Sequence, residues 1–427
     1  MSSDEQLLSQ LALAVDSERV AMFDRLARRL VLQSLARISH GRLGVVEGRR
    51  KMAFGESRAE LAATLRVHSF TFYRRIALGG TIGAGEAYMD GLWSCDDLPV
   101  LIRIMVRNRE VQDRLEGGLA QLAGVIQRLL HRLNDNTLNG SRRNIAAHYD
   151  LGNDFYRLFL DPTMAYSCGV FERPDSTLHE ASLAKFDRIC GKLGLAAGMS
   201  LVEIGTGWGG FALHAARHYG CRVTTTTISR QQYDYTAAQI AAAGLADRVT
   251  LLQKDYRELQ GQFDRLVSIE MIEAVGHRHL PTFFTACARL LNPDGIALLQ
   301  AITVPDRVYP RYCKTPDFIN RHVFPGGCCP SLAAMNAAAA VATDLALVDL
   351  EDLTPHYVLT LQHWRRAFQG CLDAVRALGY DERFLRMWDY YLAYCAGGFS
   401  EHFTGLLQLL YVKTCRQIDV RTTGVRG

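Results

Sequence analysis

The sequence predicts an α/β fold in which a smaller, mainly helical N-terminal domain precedes a doubly wound, mostly parallel sheet. Five strand-like runs alternate with helical segments between residues 201 and 302. A glycine-rich turn connects the first run to a helix, as in sheets that bind a ligand at the carboxyl ends of their strands. Residues 1–135 carry mainly helical patterning, and a chain of 427 residues is long enough for two or three domains.

The glycine-rich turn lies in residues 199–216, which read MSLVEIGTGWGGFALHAA. A short apolar run ends at Ile204, and glycines follow at Gly205, Gly207, Gly209 and Gly210. Glycine allows the backbone angles of a tight turn and lets a ligand approach the main chain closely. Because the next helix begins with free N–H groups, the segment predicts a strand, a ligand-binding turn and a helix.

A change of pattern near residue 135 predicts the domain boundary. Residues 134–143 (NDNTLNGSRR) are polar, basic and rich in turn formers, which favours a linker. We therefore predict an N-terminal domain at 1–135 and a sheet-bearing domain at 136–427. The strand-like runs of the second domain are 201–204, 222–227, 249–252, 263–269 and 295–302.

Residues 20–38 predict a basic amphipathic helix in the N-terminal domain. Its apolar residues fall near one face: Phe23, Leu26, Leu30 and Leu35. Its arginines lie largely elsewhere: Arg25, Arg28, Arg29 and Arg37. Such a helix can lie on an anionic membrane surface, or it can be a core helix with a solvated basic face. Beyond it, residues 66–80 favour one or two strands, 83–93 a glycine turn before a short helix, and 98–133 a long helical region.

Composition narrows the class of protein. The net charge of +4 is small and does not argue for a nucleic-acid partner. The first residues lack the features of a signal peptide, and no run approaches the ~20 apolar residues that span a bilayer. The eleven cysteines include no CxxC pair, which favours a reduced, cytoplasmic setting without a metal site.

Three strand ends predict the ligand. Glu203 precedes the turn, whose GxGxGG spacing differs from the GxGxxG of a pyrophosphate site. An acidic residue there suits the ammonium group of S-adenosylmethionine. A polar residue after the second strand, in the segment from Thr227 to Gln232, can bind a ribose. An acidic residue beside an aromatic after the third strand, Asp255 with Tyr256, can hold an adenine. Together these ends predict a methyltransferase.

Seven segments make the sequence resemble the cyclopropane-fatty-acyl-phospholipid synthase family, which includes mycolic acid cyclopropane synthases and related fatty-acid C-methyltransferases. They cover residues 144 to about 413, and GEAYMDGLW at 85–93 resembles the helical domain of longer members. The segments are NIAAHYDLGNDFY (144–156), DPTMAYSC (161–168), VEIGTGWGG (202–210), EMIEAVG (270–276), DFINRHVFPGG (317–327), HYVLTL (356–361) and YLAYCAGGF (391–399).

The resemblance implies a class I, Rossmann-like methyltransferase with S-adenosylmethionine as cofactor. Tyr166 and Ser167 would contact the cofactor from a lid, and Gly205 and Gly207 would pass beneath its methionine moiety. Thr227 and Gln232 would lie near the ribose, with Asp255 and Tyr256 near the adenine. A bound bicarbonate would act as the base, and its holders match these residues: Cys168, Glu273 and Tyr357, with Cys395 nearby. Glu273 beside an anion would be protonated, because two close negative charges disfavour each other.

Gln300 departs from the pattern of the family's bacterial cyclopropane synthases, which usually carry histidine there. An amide can donate a hydrogen bond to the anion but does not titrate near neutral pH. Relatives with glutamine include enzymes that close a ring and enzymes that make methylene- or methyl-branched chains. The resemblance therefore leads us to expect a cyclopropane product, with a branched chain as the alternative.

The resemblance also implies a substrate and a location. The acceptor would be the double bond of an unsaturated acyl chain in a membrane phospholipid, reached by a cytoplasmic enzyme at the inner face of the membrane. A homodimer is one alternative for its assembly. Two rival functions remain open at this point: a lipid-binding protein without turnover, and a methyltransferase acting on a heteroatom of a small molecule or nucleic acid.

Overall fold

The computed structural model describes residues 22–115 and 151–414. The predicted linker and residues 144–150 of the first family segment lie outside this part of the chain. Contacts divide the protein into two units. The first comprises the described residues up to 115 together with Gly379–Glu401, and the second comprises the other described residues from 151 onward. Within the described residues, no helix has the length and hydropathy needed to cross a membrane.

The first unit contains a four-stranded sheet in addition to its helices, with strand order β2-β1-β3-β4. Strands β1 and β3 are parallel, whereas β1–β2 and β3–β4 are antiparallel. Its elements up to residue 115 are α1 (22–35), β1 (Arg42–Glu47), β2 (Arg50–Gly55), β3 (Ala62–Val67), α2 (Thr71–Met89), β4 (Trp93–Cys95), α3 (Leu98–Arg107) and α4 (Arg109–Leu115).

Helix α2 corrects the prediction for residues 66–93. The end of β3 and the first residue of β4, Trp93, are the strand residues there, and Thr71–Met89 is helical with a break at Gly80. Phe72, Tyr73 and Ile76 are buried together, so a helix satisfies the same apolar residues that suggested strand alternation. The predicted glycine turn at 83 is also helical. A Cβ atom at Gly83 would lie 2.1 Å from the Arg75 carbonyl oxygen, so that glycine serves close backbone packing.

Helix α1 buries only part of the apolar face that was predicted for it. Ala27, Val31 and Leu35 are buried, whereas Leu26 and Leu30 are exposed. The helix therefore has two apolar sides, one in the core and one at the surface.

A helix from the C-terminal part of the chain belongs to the first unit. This helix, which we label α15 (Glu382–Ser400), packs against α2 and α3. The Tyr88 hydroxyl donates to Asp389 at 3.1 Å, and a Cβ atom at Gly397 would lie 2.6 Å from the Ile102 Cβ. The predicted boundary near residue 135 did not anticipate this return of the chain.

The second unit carries the doubly wound sheet. Its elements are α5 (Asn153–Arg157), α6 (Leu178–Leu193), β5 (Ser200–Ile204), α7 (Gly210–His218), β6 (Arg222–Thr226), α8 (Arg230–Ala242), β7 (Val249–Leu252), β8 (Phe263–Ile269), α9 (Leu280–Leu290), β9 (Leu291–Thr303), α10 (Tyr309–Tyr312), α11 (Phe318–His322), α12 (Leu332–Ala342), β10 (Leu345–Asp352), α13 (Thr354–Gly370), α14 (Leu372–Ala377) and β11 (Gly405–Lys413). Short 3-10 helices lie at Tyr256–Glu258, Ile272–Ala274 and His277–His279.

The predicted α/β fold is confirmed. The strand order is β10-β11-β9-β8-β5-β6-β7, and the five strands from β5 to β9 pair in parallel. Strands β10 and β11 add an antiparallel edge next to β9. Because the parallel strands point the same way, their carboxyl ends meet at one edge of the sheet.

Helices cover both faces of this sheet. Successive strand residues such as Leu201 and Val202 belong to opposite apolar clusters, as the two-residue repeat of a strand requires. One cluster packs against α6, α7 and α8 through side chains such as Phe186 and Phe211. The other packs against α9 and α12 through side chains such as Phe284 and Met335. Two buried layers therefore fix the strand ends that carry the candidate site.

Candidate active site

The glycine turn leaves β5 at the carboxyl edge of the sheet. Gly205, Gly207 and Gly209 have φ angles of 101°, 54° and 87°, a left-handed region that favours glycine. Two neighbours are closely packed: Cβ atoms at Gly209 and Gly210 would lie 2.7 Å from Thr236 and 2.6 Å from the Thr163 carbonyl oxygen. A Cβ atom at Gly207 would meet no atom within 4 Å. The turn is therefore open at Gly207, where a ligand can approach the backbone.

Glu203 lies just before the turn and is only 2% exposed. The Thr225 hydroxyl donates to its carboxyl group at 2.5 Å. Burial raises the pKa of Glu203 to about 8, against the opposing effects of Thr225 and the Lys185 ammonium. Its predicted contact with the cofactor stays a prediction.

The end of β6 carries an amide and hydroxyl pair. The Thr227 hydroxyl donates to Gln232 Oε1 at 2.8 Å, and both side chains are buried. The neighbouring Gln231 has a buried Oε1 atom with no hydrogen-bond partner among the described residues. An unpartnered buried acceptor costs free energy unless a ligand satisfies it. Gln231, which the sequence did not single out, therefore joins Thr227 and Gln232 as a candidate for a ribose hydroxyl.

Asp255, after β7, is occupied by local contacts. Arg257 Nε and Nη2 each donate to one of its carboxylate oxygens at 2.8 Å. The Tyr256 ring packs edge-on against Phe283 at 5.4 Å between ring centroids. Both residues lie where the sequence expected the adenine, but their geometry also serves the structure of this strand end. Their contact with an adenine stays a prediction.

The lid predicted from the resemblance contributes an aromatic wall. The Tyr166 ring lies 5.1 Å from the Trp364 ring and 5.3 Å from the Tyr156 ring. Tyr156 packs in turn at 4.8 Å from Trp208 of the glycine turn. The Trp208 indole donates to the Asn153 amide oxygen at 2.7 Å, so α5 is held on that turn. Aromatic rings therefore connect the lid to the predicted methionine site.

Ser167 and Lys185 form a buried pair beside the lid. Lys185 lies in α6, which begins with a capping box, and its side chain is fully buried. Its ammonium donates to the Ser167 hydroxyl at 2.6 Å. Burial lowers the pKa of Lys185, while the nearby Glu270, Asp161 and Glu203 carboxyls oppose that change. A buried lysine of this kind requires compensating negative charge.

The predicted catalytic residues converge on a carboxylate that the sequence did not select. Glu270 follows β8 directly, at the same sheet edge as the glycine turn. Its Oε1 atom accepts from the Cys168 backbone N–H at 2.9 Å and from Gln300 Nε2 at 2.8 Å. Its Oε2 atom accepts from the Tyr357 hydroxyl at 2.6 Å. The structure thus brings together three of the predicted residues around Glu270.

Cys168 contributes its backbone rather than a reactive thiolate. Its side chain is fully buried, and burial together with Glu270 raises the pKa of its thiol well above the ordinary value. The Thr360 hydroxyl lies 3.8 Å from the sulfur. The thiol therefore stays protonated at neutral pH.

The amide of Gln300 is oriented by a second amide behind it. Gln408 on β11 faces Gln300 in the strand register, and its Nε2 atom donates to Gln300 Oε1 at 3.0 Å. Because the oxygen of Gln300 is occupied, its NH₂ group points to Glu270. Both amides are fully buried. Gln408 is therefore a positioning residue that the sequence did not indicate.

The Glu273 carboxyl accepts fewer hydrogen bonds than the Glu270 carboxylate. The Ile302 backbone N–H donates to its Oε1 atom at 2.5 Å, and its Oε2 atom is buried without a partner in the described part of the chain. Burial and the nearby Glu270 raise the pKa of Glu273 to about 8. Burial also raises the pKa of Glu270, but three donors and Lys185 oppose that change. We assign the negative charge to Glu270 and the proton to Glu273.

Relative to the wild type, the Glu273→Gln variant should become more stable as the pH rises. The folded protein keeps a proton on Glu273 up to about pH 8, whereas the unfolded chain releases it near the ordinary value of about 4.5. The contribution of Glu273 to the free energy of unfolding is therefore largest at low pH and is lost between those values. In chemical unfolding measured from pH 5 to 9, the free energy of unfolding of the variant should rise relative to that of the wild type. Glu172→Gln, an exposed control, should not; equal profiles would contradict the assignment.

Cys395 is carried by α15 of the first unit, where it is half-buried. Its predicted place near the anion stays a prediction. The residues that the sequence missed are Glu270, Lys185, Gln231 and Gln408. One signal could have found Glu270, because it directly follows a predicted strand of the parallel sheet and lies inside a quoted family segment.

Comparison with known proteins assigns the chain to a family. The family described as mycolic acid cyclopropane synthetase matches residues 136–409. The chain belongs to this family. Tuberculostearic acid methyltransferase UfaA1 of Mycobacterium tuberculosis is 36% identical over 376 residues, which cover 85% of this chain and 87% of that protein. Cyclopropane-fatty-acyl-phospholipid synthase of Escherichia coli is 36% identical over 361 residues, with coverages of 82% and 87%.

Solved structures of the cyclopropane synthetase family share the fold. The cyclopropane synthase MmaA2 of Mycobacterium tuberculosis is 34% identical with a TM-score of 0.60, covering 64% of this chain and 98% of that one. Mycolic acid cyclopropane synthase CmaA1 in complex with SAH and CTAB is 35% identical with the same TM-score and coverages. This family member is therefore an S-adenosylmethionine-dependent methyltransferase, and the sequence-based prediction of that class is confirmed.

Proposed function

We propose that the enzyme transfers the methyl group of S-adenosylmethionine to the double bond of an unsaturated acyl chain in a phospholipid, and that it closes a cyclopropane ring. The observation that carries this proposal is the Glu270 carboxylate, held by three donors beside an aromatic wall. Methylation of an alkene passes through a carbocation, which a nearby anion and aromatic faces stabilise. Methylation of a nitrogen or oxygen acceptor forms no such cation.

The strand ends fit S-adenosylmethionine. The open backbone at Gly207 and the unpartnered Gln231 Oε1 atom both suit a ligand at this edge. Gly205 and Gly207 would lie along the methionine part, with Thr227, Gln231 and Gln232 toward the ribose. When bound, the cofactor supplies an electrophilic methyl group on a sulfonium sulfur. The similarity to a synthase solved with SAH supports this assignment.

The glycine turn and the carboxylate site adjoin each other. A Cβ atom at Gly205 would lie 3.1 Å from Met271 Cγ, and Met271 follows Glu270 in the chain. The predicted methionine site and the Glu270 carboxylate thus lie on neighbouring segments. Trp364 adds a ring 6.2 Å from Tyr357, and its buried indole N–H has no partner in the described residues. A carbocation formed here on the hydrocarbon chain would lie close to an anion and to aromatic rings, with little water nearby.

Two of the three bicarbonate holders that the resemblance implied, Cys168 and Tyr357, are already engaged by Glu270. The Cys168 N–H and the Tyr357 hydroxyl both donate to Glu270, as does the Gln300 amide. A second anion at this point would lie against a carboxylate, which is unfavourable. Bicarbonate would therefore have to displace these donors from Glu270 in order to bind here.

A branched product is the second candidate. Tuberculostearic acid methyltransferase UfaA1 covers 85% of this chain at 36% identity, about the same identity as the cyclopropane synthase of Escherichia coli. Both products begin with the same methyl transfer. They differ in where the resulting cation loses a proton: from the transferred methyl to close the ring, or from a neighbouring carbon to leave an alkene.

A labelled-methyl assay tests the proposed function. Radiolabelled S-adenosylmethionine is incubated with the enzyme and vesicles of a monounsaturated phospholipid, and the fatty acids are released and counted. Label should enter the acyl chains, whereas vesicles of a saturated phospholipid with the same head group should receive none. Label in water-soluble products alone would contradict the proposal. Fragmentation of the labelled chain then distinguishes a ring from a branch.

Helix α1 supports docking at an anionic membrane surface, which we propose as the route to the acyl chain. Met22, Leu26 and Leu30 repeat every four residues and are 68%, 51% and 43% exposed. Arg25 and Arg29 are exposed as well. An exposed apolar stripe flanked by arginines suits the boundary between head groups and acyl chains.

Removing the two exposed arginines should weaken vesicle binding. Each arginine near an anionic surface contributes about 1 kcal/mol, so Arg25→Gln with Arg29→Gln should lower partitioning roughly 30-fold at low salt. Arg28 is left unchanged because it binds Glu47 at 2.8 and 2.7 Å. The matched control is Arg217→Gln with Arg222→Gln, which removes the same charge from the second unit. Equal losses in both double variants, measured by vesicle sedimentation, would contradict docking through α1.

A further inference from the structure

Glu270 has the surroundings of an ionised carboxylate that performs a reaction. Its three donors come from separate segments: the Cys168 loop, Gln300 of β9 and Tyr357 of α13. A carboxylate has about four acceptor positions, so one remains for a further partner. The residues that supply the donors are buried, whereas Glu270 keeps part of its own surface accessible. The three donors therefore leave one acceptor position of the carboxylate for a substrate proton.

The backbone of Glu270 supports the same view. Its φ angle is 49°, in the left-handed region that non-glycine residues rarely adopt. Its own N–H donates to the Gln300 carbonyl oxygen at 2.7 Å, which fixes the turn at the end of β8. A strained position of this kind costs on the order of 1 kcal/mol, and such positions cluster at active sites. Here the strain places a carboxylate where glycine would be the easier choice.

The charges around Glu270 favour its ionised form. Lys185 is a buried cation, and Glu270 is the carboxyl that most strongly opposes the lowering of its pKa by burial; Glu273 carries a proton rather than a second charge. The other groups facing the site, Cys168 and Tyr357, are neutral donors. The Lys185 ammonium therefore compensates the one negative charge on Glu270. The charge of a second anion at this site would have no such cation.

We infer that Glu270 is itself the base that removes the proton after methyl transfer, in the place that the family resemblance gave to bicarbonate. This inference rests on the proposed function. The alkene forms a bond to the sulfonium methyl carbon as the carbon–sulfur bond breaks, which leaves a carbocation. A C–H bond of the transferred methyl then gives its proton to Glu270, and its electron pair closes the third side of the ring. Glu270 passes the proton to solvent when the product leaves.

Dependence on bicarbonate tests this inference. Lipid methylation by the wild type is measured in buffer stripped of carbon dioxide and again with added bicarbonate. We expect less than about a twofold difference, because the donors for the anion are occupied by Glu270. In Glu270→Gly, glycine accepts the left-handed backbone and frees the donors. Its activity should be lower by roughly 10²-fold or more without bicarbonate and should recover at least partly when the ion is added.

Glu270→Gln is the matched variant that fills the same space. An amide keeps the donors engaged but does not accept a proton, so bicarbonate should not restore it. The inference is overturned if the wild type loses its activity without bicarbonate, or if Glu270→Gln methylates lipid at the wild-type rate. No lipid methylation by the wild type under either condition would overturn the proposed function and this inference with it. The wild-type measurement needs no variant, so a folding defect does not obscure the result.

Discussion

Glu270→Gln should lower kcat for lipid methylation by roughly 10²- to 10⁴-fold, the range over which a positioned base contributes. The amide keeps the size of the side chain, and its oxygen can still accept from the Cys168 N–H and the Gln300 amide. Tyr357 can accept from the new NH₂ group, so the network around the site stays satisfied. The affinity for S-adenosylmethionine, measured by calorimetry, should therefore change little.

Glu273→Gln is the control for that loss. Glu273 already holds a proton at neutral pH, and an amide resembles a protonated carboxyl, so its kcat should fall much less than that of Glu270→Gln. If the two variants lose activity equally, or if Glu273→Gln is the weaker enzyme, the assignment of charge between the two carboxyls is wrong. Full activity of Glu273→Gln would also exclude proton transfer by Glu273.

The pH profile gives a second readout of the same base. Glu270 must be ionised to accept a proton, and burial raises its pKa above the ordinary value of 4.5. The groups that face it are Lys185, Glu273, Cys168 and Tyr357. The wild-type kcat/KM should fall as the pH decreases through the pKa of Glu270, with an acid limb displaced upward from an ordinary carboxyl.

Lys185→Met should lower the free energy of unfolding by about 3 kcal/mol, the scale observed when one partner of a buried ionic group is removed. The variant leaves the Ser167 hydroxyl without its donor and leaves the ionised Glu270 without its buried cation. Methionine has nearly the same length, so the loss reports charge rather than volume. Denaturant unfolding followed by tryptophan fluorescence measures the change.

Lys192→Met in the same helix is the matched control. Lys192 binds Glu351 at 2.7 Å in a pair whose side chains are 19% and 26% exposed, whereas Lys185 is fully buried. The control variant should therefore lose much less stability than Lys185→Met. Equal losses would show that α6 is sensitive to any lysine replacement and would remove the special role of the buried charge.

The sheet was the most predictable part of the fold. The bounds of β7 and β8 match the predicted runs, because short apolar segments between turn signals have few alternative structures. The glycine turn was predicted for the same local reason. In contrast, apolar residues in 71–89 alternate closely enough to suggest strands, and only the tertiary packing of Phe72, Tyr73 and Ile76 selects a helix.

The return of α15 to the first unit could not be predicted from local pattern. It depends on contacts between residues about 300 positions apart, such as Tyr88 with Asp389. A domain boundary read from composition assumes that each domain is continuous in the chain, and the packing of α15 on α2 and α3 departs from that assumption.

The centre of the site was missed for a related reason. Two glutamates stand three residues apart in EMIEAVG, and the sequence does not show which one meets the donors. That choice depends on Cys168, Gln300 and Tyr357, which are 102, 30 and 87 residues from Glu270. Lys185 was missed because an amphipathic helix normally exposes its lysines, and burial of this one depends on the charge around it.

Transfer of a trideuterated methyl group tests the central claim most directly. The wild type is incubated with S-adenosylmethionine carrying a CD₃ group and with monounsaturated phospholipid vesicles, and the released fatty acids are analysed by mass spectrometry. We predict an acyl chain that has gained the labelled carbon, has lost one of its three deuterons to the base, and contains no double bond. A chain that keeps all three deuterons would contradict ring closure, and absence of label from the acyl chains would contradict the proposed lipid methylation.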